Sequence, residues 1–231
     1  LMIKDNFVRL YENSFKSNWD LPALTDYTEK ITYTYGDLAT EILRLHIFFK
    51  KAGIKKGDKI ALIGRNNILW CTTHLETMTY GAIIVPILQD VHPDNIHHIV
   101  NHSETKALLA ATQNWEKLSE KEMPEVKLFM SLDNWDIFSP YEDSVKDAYN
   151  DIDNLFDKHY PAGFTQQDIL FHQENPEELA LLNYTSGTTG FSKGVMIPYR
   201  SLWSNTKYAE DRLPFIYSGD NMVSMLPMAH M

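Results

Sequence analysis

The sequence has one cysteine, few clustered basic residues and no long apolar run. The single cysteine, Cys71, excludes an intrachain disulfide framework and a cysteine-based metal site. It falls in an apolar helical stretch, which favours a buried thiol over a nucleophile. The net charge is −10, and lysines are adjacent only at Lys50-Lys51 and Lys55-Lys56, which argues against a nucleic-acid-binding face.

Two further absences concern membranes and targeting. No apolar stretch approaches the roughly 20 residues needed to span a bilayer, although the pattern leaves peripheral membrane contact open. The first residues, with Lys4, Asp5 and Arg9, lack the apolar core of a signal peptide. We therefore predict a cytoplasmic protein without a transmembrane segment. Nothing in the pattern predicts its oligomeric state.

What is present is the alternation of short apolar strands with helices. The 231 residues are 44% apolar, enough for a proper core. Strands are predicted at 59–63, 82–86, 107–110 and 126–130, and helices at 67–80, 94–101 and 115–121. This alternation predicts an α/β fold, a doubly wound and largely parallel sheet with flanking helices on both faces. Ligands in such sheets bind at the carboxyl ends of the strands.

The flanking regions add further elements. An amphipathic helix is predicted to end before Pro22, followed by a short β segment at 30–35 and a helix that starts near Gly36. Late in the chain we predict a helix over 199–212, with Leu202, Tyr208 and Ala209 among its buried residues. A strand at 223–226 is then expected to run into a Pro227 turn that presents His230.

Residues 184–195, YTSGTTGFSKGV, are the part of the sequence richest in chemistry. They contain three glycines, five serine or threonine hydroxyls and one lysine, Lys193. Glycines let the backbone approach an anion, hydroxyls and N–H groups donate hydrogen bonds, and lysine supplies positive charge. The common P-loop has glycine directly before its lysine and a helix after it; here Ser192 precedes Lys193 and a strand-like 195–197 follows. A strand, loop, strand arrangement could close over the outer phosphates of a nucleotide, and the alternative is a ligand-free polar turn.

This segment resembles the signature loop of the adenylate-forming superfamily, which includes acyl-CoA synthetases, adenylation domains and luciferases. The family usually has proline where this chain has Ser192, which predicts a slightly looser loop. The Thr-Tyr strand, helix and Gly-Asp turn of residues 31–58 and the Pro-x-x-His ending at His230 resemble further family patterns. The resemblance implies that ATP activates a carboxylate as an acyl-adenylate, which then passes to a thiol such as coenzyme A.

The resemblance also implies roles for individual residues. Lys193 and Mg²⁺ would offset charge on the nucleotide phosphates, Thr185 would help hold the Mg²⁺, and His230 would help shape the acyl and adenylate site. Cofactor binding is expected at Thr185, Ser186, Gly187, Thr188, Thr189, Gly190 and Lys193.

The same resemblance predicts the domain organisation. Residues 1–178 would form a first α/β subdomain with an acidic insertion at about 133–178, and 179–231 a phosphate-loop hairpin and the truncated start of a second subdomain. The chain is expected to be an N-terminal fragment, inactive alone, because the adenine pocket and a C-terminal catalytic lysine would lie beyond Met231. An insertion of this size is similar to that of long-chain fatty acyl-CoA synthetases, so we predict a long-chain fatty acid substrate.

Several alternatives stay open at this point. The protein could be a carrier-protein-loading adenylation enzyme, an aryl or short-chain acyl-CoA synthetase, or a non-catalytic nucleotide-binding module. His98 and His102 have the i, i+4 spacing of a metal-binding pair, but without a third ligand in register we expect solvent-facing histidines at His92, His97, His98 and His102. Asp151 and Asp153 lack the glycine and distal glutamate of a calcium loop, which favours a solvated acidic face.

Overall fold

The structure is a computed structural model that describes residues 6–139, 142–185, 192–217 and 219–230. The helices in chain order are α1 (Phe7–Ser17), α2 (Tyr35–Lys51), α3 (Ile68–Tyr80), α4 (Pro93–His102), α5 (Thr112–Trp115), α6 (Asp143–Asn150), α7 (Ile152–His159) and α8 (Tyr199–Arg212). The strands are β1 (Pro22–Asp26), β2 (Ile31–Thr34), β3 (Lys59–Ile63), β4 (Ile83–Ile87), β5 (Thr105–Ala110), β6 (Leu128–Ser131), β7 (Leu179–Thr185) and β8 (Lys193–Pro198). Short 3₁₀ turns occupy Glu120–Glu122, Gln166–Asp168 and Met228–His230.

The predicted α/β fold is confirmed, with a largely parallel sheet in the strand order β6-β5-β3-β4-β7-β8. Strands β3 to β7 run parallel, and β8 pairs antiparallel with β7. Because alternate side chains of a strand point to opposite faces, Ile60 and Leu62 enter one apolar core while Ala61 and Ile63 enter the other. Helices α2 and α3 contribute to the first core and α4 to the second.

The amino-terminal region contains a strand that the sequence did not reveal. β1 forms an antiparallel pair with β2 beside the main sheet. Helix α2 begins directly after β2 because Thr34 and Asp37 make a capping box. The Thr34 hydroxyl accepts from the Asp37 N–H at 3.0 Å, and the Asp37 carboxylate accepts from the Thr34 N–H at 2.9 Å. This capping explains why one element follows the other without a loop.

The predicted helix at 115–121 is wrong. The chain instead forms α5, which ends at Trp115, and a separate 3₁₀ turn at Glu120–Glu122. Tertiary hydrogen bonds divide the segment, because the Ser119 N–H donates to His97 Nε2 at 3.0 Å rather than to a carbonyl one turn earlier. Ring stacking of Trp115 on Phe138, with centroids 4.9 Å apart, fixes the end of α5.

The acidic stretch before β7 contains more helix than the sequence indicated. Helices α6 and α7 bury Val145, Ala148 and Phe156, which belong to the same core as α2. Arg44 of α2 is joined to this stretch, with its guanidinium 2.6 Å from the carboxylate of Asp153 and over the ring of Phe156. The stretch therefore covers α2 while most of its carboxylates face solvent.

Two expectations near the end of the chain are also wrong. Tyr208 is 65% exposed, because α8 buries only Tyr199 at its first turn. Residues 223–226 do not form a strand, and Val223, Met225 and Leu226 are 79–85% exposed. A strand needs a neighbour to accept its backbone hydrogen bonds, and no described strand lies beside this segment.

Candidate functional site

The hairpin of β7 and β8 brings the two ends of the glycine-rich segment together. Thr185 is the last residue of β7, Lys193 is the first of β8, and the two are register partners. Both residues are exposed, and the described residues place no carboxylate within ion-pairing distance of Lys193. A hydroxyl and an unpaired ammonium thus stand side by side at the carboxyl end of a parallel strand. The other predicted loop residues, Ser186, Gly187, Thr188, Thr189 and Gly190, lie outside the described residues.

A cleft of about 550 Å³ opens at this end of the sheet. Its walls include Asn183, Thr185 and Ser192 from the hairpin, Asp90 after β4, and His230 from the late 3₁₀ turn. The structure therefore brings two of the predicted site residues, Thr185 and His230, to one cleft although 45 positions separate them in the sequence. Lys193 is not part of the wall and borders it through its neighbour Ser192.

A second cleft, of about 500 Å³, lies at the carboxyl ends of β3 and β4. It shares Asp90, Ala229 and His230 with the first cleft and adds Arg65 and Gln89, whose side chains are hydrogen-bonded at 3.1 Å. His230 is exposed between the two clefts, and the neighbouring Ala229 is buried and anchors the turn. This places an imidazole next to space for two ligand groups, at the edge where an open α/β sheet binds ligands.

Asn66, in the loop that follows β3, holds the segment that carries His230. Its Nδ2 donates to the Leu226 carbonyl at 2.7 Å and to the Ser224 hydroxyl at 3.2 Å, and its Oδ1 accepts from the Met228 N–H at 2.8 Å. Sequence reasoning missed this residue. Its position in the polar Gly-Arg-Asn-Asn run after a buried strand was the available signal.

Tyr184, one residue before Thr185, helps to hold the hairpin against α4. Its hydroxyl lies 2.7 Å from Nδ1 of His102 at the end of α4. A Cβ on Gly194 would lie 3.2 Å from Cζ of Tyr184 and 3.1 Å from Cδ1 of Leu182, so the tyrosine ring packs closely over this glycine. Gly194, the glycine that follows Lys193, thus allows the close packing of the hairpin.

The histidines of α4 differ from the predicted solvent-facing set. His97 is buried, with Nε2 accepting from Ser119 and Nδ1 2.8 Å from a Glu122 carboxylate oxygen, so the expectation is wrong for this residue. The rings of His98 and His102 lie 5.5 Å apart. Across the described part of the chain, no three His, Cys, Asp or Glu side chains are grouped to hold a metal ion.

Cys71 of α3 is partly buried, and its thiol lies 3.3 Å from the sulfur of Met228. Burial raises the pKa of the Cys71 thiol to about 11, so the thiolate needed for nucleophilic attack is scarce at neutral pH. The helices that the structure describes include none that is long and apolar enough to cross a membrane.

The chain is similar to known proteins in both sequence and fold. The family profile described as AMP-binding enzyme matches residues 11–231. Fatty acyl-CoA synthetase A of Dictyostelium discoideum is 28% identical over 185 residues, covering 77% of this chain and 26% of that protein. The chloroplastic long-chain-fatty-acid–[acyl-carrier-protein] ligase AEE15 of Arabidopsis thaliana is 25% identical over 237 residues, covering 96% of this chain and 32% of that protein.

Among solved structures, a candidate long-chain-fatty-acid CoA ligase from Rhodopseudomonas palustris CGA009 superposes with a TM-score of 0.74. It is 17% identical, and the match covers 99% of this chain and 53% of that chain. This likeness concerns the fold. The chain spans between a quarter and a third of the length of the two curated relatives.

Proposed function

Because the chain belongs to the family of AMP-binding enzymes, we propose that the protein carrying it activates a carboxylic acid with ATP and transfers the acyl group to a thiol. The carboxylate attacks the α-phosphorus of ATP, and pyrophosphate leaves. The thiol then attacks the acyl carbonyl of the acyl-adenylate, so that the acyl–phosphate bond breaks and AMP and the thioester are released. The observation that carries the proposal is the meeting of the glycine-rich hairpin and His230 at one cleft. Nucleotidyl transfer of this kind depends chiefly on positioning and charge neutralisation.

Lys193 is proposed to offset negative charge on the β- and γ-phosphates. It starts β8 beside the end of β7, so its backbone is held by the sheet while its side chain stays exposed and without a carboxylate partner in the described residues. Hydroxyl and N–H groups of 186–190 would complete the phosphate contacts. His230, between the two clefts, would help shape the acyl and adenylate site.

Magnesium fits this site to a limited extent. The exposed Thr185 hydroxyl can supply one oxygen ligand, and Mg²⁺ ordinarily keeps several waters and binds substrate phosphates rather than an all-protein cage. When bound, the ion would neutralise charge on the transferring phosphate groups. Thr185 is the described residue proposed to hold it.

We propose that the acid is a long-chain fatty acid and that the thiol is coenzyme A. We also propose that the protein is located in the cytoplasm. The similarity to Dictyostelium fatty acyl-CoA synthetase A supports a fatty acid and coenzyme A, and the similarity to the long-chain-fatty-acid ligase AEE15 supports the long chain. The similarity to AEE15 favours a second candidate, in which the acceptor is an acyl-carrier protein. The division at residue 178 into two subdomains stays a prediction, as does the expectation that this stretch alone is inactive.

Carboxylate-dependent ATP–pyrophosphate exchange tests the proposal on the full-length gene product. Fatty acids of graded length are compared with aryl acids and amino acids, and Mg²⁺ is omitted in a parallel series. We expect exchange with long-chain fatty acids only, and none without the metal. Exchange with another acid class would correct the substrate, and its absence with every acid in a folded protein would favour a nucleotide-binding module.

A thioester assay distinguishes the two acceptors. Coenzyme A and a phosphopantetheinylated acyl-carrier protein are offered separately to protein that exchanges pyrophosphate. Turnover only with the carrier protein would replace coenzyme A in the proposal.

A further inference from the structure

We propose that Asn66 is a positioning residue that holds His230 at the cleft by fastening the segment 224–228 to the carboxyl end of β3. The proposal deepens the proposed function and rests on it, since it assumes that His230 acts on the acyl or adenylate group.

The first observation is that the amide nitrogen and the amide oxygen of Asn66 both form hydrogen bonds with the distant segment 224–228. Nδ2 donates to the Leu226 carbonyl and the Ser224 hydroxyl at 2.7 and 3.2 Å, and Oδ1 accepts from the Met228 N–H at 2.8 Å. An asparagine amide has two donor hydrogens and one acceptor oxygen, and this arrangement satisfies all three groups. A carboxylate of the same size would keep the acceptor and lose both donors.

The second observation is that the described residues provide few other restraints on this segment. Residues 221–226 contain neither helix nor strand, and Val223, Met225 and Leu226 are 79–85% exposed. Ala229 is buried, and the Met228 sulfur lies 3.3 Å from the Cys71 thiol, so the other anchors lie after residue 227. Few buried apolar contacts mean that this segment opens at low free-energy cost unless hydrogen bonds restrain it.

The third observation concerns how the turn with His230 begins. Met228 is the first residue of the 3₁₀ turn Met228–His230, and the first N–H groups of a helix have no partner within it. Asn66 Oδ1 accepts from the Met228 N–H, so a side chain from a distant part of the chain satisfies this first donor. The His230 N–H then donates to the Pro227 carbonyl at 3.0 Å. The position of β3 therefore sets where the turn starts and where the imidazole lies.

β3 is the most suitable element for such an anchor. Residues Ile60 to Ile63 have no exposed surface, and both neighbouring strands pair with β3 along its length. Asn66 lies in the loop just after this strand, so we expect its side chain to move little. Its hydrogen bonds therefore restrain the His230 imidazole with respect to Thr185, which lies on β7 in the same sheet. Rigid support of this kind is what site residues need, because small displacements cost large factors in rate.

The test compares Asn66→Asp, Asn66→Ala and Ser224→Ala in the full-length gene product. Asn205→Asp in α8 adds the same charge as Asn66→Asp at an exposed position that lines neither cleft, and it serves as the control. Hydrogen–deuterium exchange by mass spectrometry follows peptides within 222–230 and, for comparison, peptides of β3 to β5. ATP–pyrophosphate exchange gives kcat and the KM values for acid and ATP.

We expect faster deuterium uptake confined to 222–230 in both Asn66 variants, because Asn66→Asp loses two hydrogen bonds and Asn66→Ala loses all three. The expected fall in kcat is roughly tenfold to a hundredfold. The KM for ATP should stay near that of the wild type, because the side-chain hydrogen bonds of Asn66 within the described residues all go to 224–228 and none to β7 or β8. Ser224→Ala should lower kcat less than threefold, and it should have no further effect in the Asn66→Ala background because the bond it removes is already absent.

Unchanged uptake in 222–230, or faster uptake with unchanged kcat, would overturn the proposal. If Asn66→Asp unfolds the whole protein, the single variants Asn66→Ala and Ser224→Ala and their double variant still test the proposal. Additive effects of the two substitutions on kcat would contradict it. Absence of adenylation in the wild-type protein would overturn the proposed function, whereas the deuterium uptake would still decide whether Asn66 anchors the segment.

Discussion

Strands β3 and β8 belong to the same sheet, but they are held in place by different forces. Residues Ile60 to Ile63 of β3 have no exposed surface, whereas Val195 and Met196 of β8 are 47% and 69% exposed. β3 lies between two parallel neighbours, whereas among the described strands β8 is at the edge of the sheet and pairs with β7 alone. Burial on both faces makes the centre stable and leaves it no room for ligands. Lys193 lies on this edge, where its side chain stays exposed.

The largest expected effect comes from shortening a side chain at the centre. Leu62→Ala should lower the free energy of unfolding by about 3 kcal/mol, because it removes buried methyl groups and leaves a cavity. Met196→Ala on the exposed edge is the matched change and should cost less than about 0.5 kcal/mol. Urea denaturation measures both. Equal losses at the two positions would contradict the division between centre and edge.

The second prediction concerns how stability depends on pH through His74, a buried histidine. Burial lowers the pKa of His74 from 6.5 to about 4. Between these values the unfolded chain binds a proton that the folded chain does not, so stability should fall as the pH drops from 6.5 to 4. A shift of this size corresponds to roughly 3 kcal/mol. Stability is unaffected by this group above pH 6.5, where His74 is neutral in both states.

His74→Phe is the variant that isolates this effect. The ring of His74 stacks on Trp70 with centroids 5.4 Å apart, and phenylalanine keeps that stacking while it removes the titration. Its unfolding free energy should depend less on pH than that of the wild type, with a residual slope from His46, whose pKa is also lowered to about 4 by burial. The same slope in both proteins would exclude His74 as the cause.

The third prediction addresses the edge directly. Lys193→Ala should slow adenylation at least about tenfold, which corresponds to about 1.4 kcal/mol, because a charge contact to the phosphates is lost. Its thermal stability should be unchanged, since Lys193 is exposed and unpaired within the described residues. Lys117→Ala removes another exposed lysine, one that lines neither cleft, and should leave the rate unaltered. An unchanged rate in Lys193→Ala would remove this lysine from the proposed mechanism.

The smallest effect is expected at Gly194. An added Cβ would lie 3.1 Å from Leu182 and 3.2 Å from Tyr184, so one of these side chains must move. Gly194→Ala should lower the free energy of unfolding by about 1 kcal/mol. Val195→Ala, next to it and half exposed, should change the stability by less than about 0.5 kcal/mol. A neutral Gly194→Ala would indicate that the tyrosine ring shifts freely.

The core strands and the glycine-rich hairpin were predictable because each has a strong local pattern. The apolar runs of β3 to β6 and the periodicity of α2 and α3 are visible in short windows of sequence, and the predicted bounds of these elements differ from the observed ones by at most two residues. The predicted helix at 115–121 failed because hydrogen bonds from distant residues divide it, and such bonds leave no local signal. The predicted strand at 223–226 is not formed, because a strand needs a neighbouring strand to share its backbone hydrogen bonds and none of the described strands lies beside it.

By itself the sequence determined the family, the α/β class and the residue types of the glycine-rich hairpin, since these depend on local composition, spacing and periodicity. Only the tertiary structure decided that Thr185 and His230 line one cleft and that Asn66 is hydrogen-bonded to the turn that carries His230. The residues brought together in this way are 45 and 162 positions apart in the sequence. They come together because parallel strands align their carboxyl ends at one edge of the sheet, and no property of a single segment encodes that meeting.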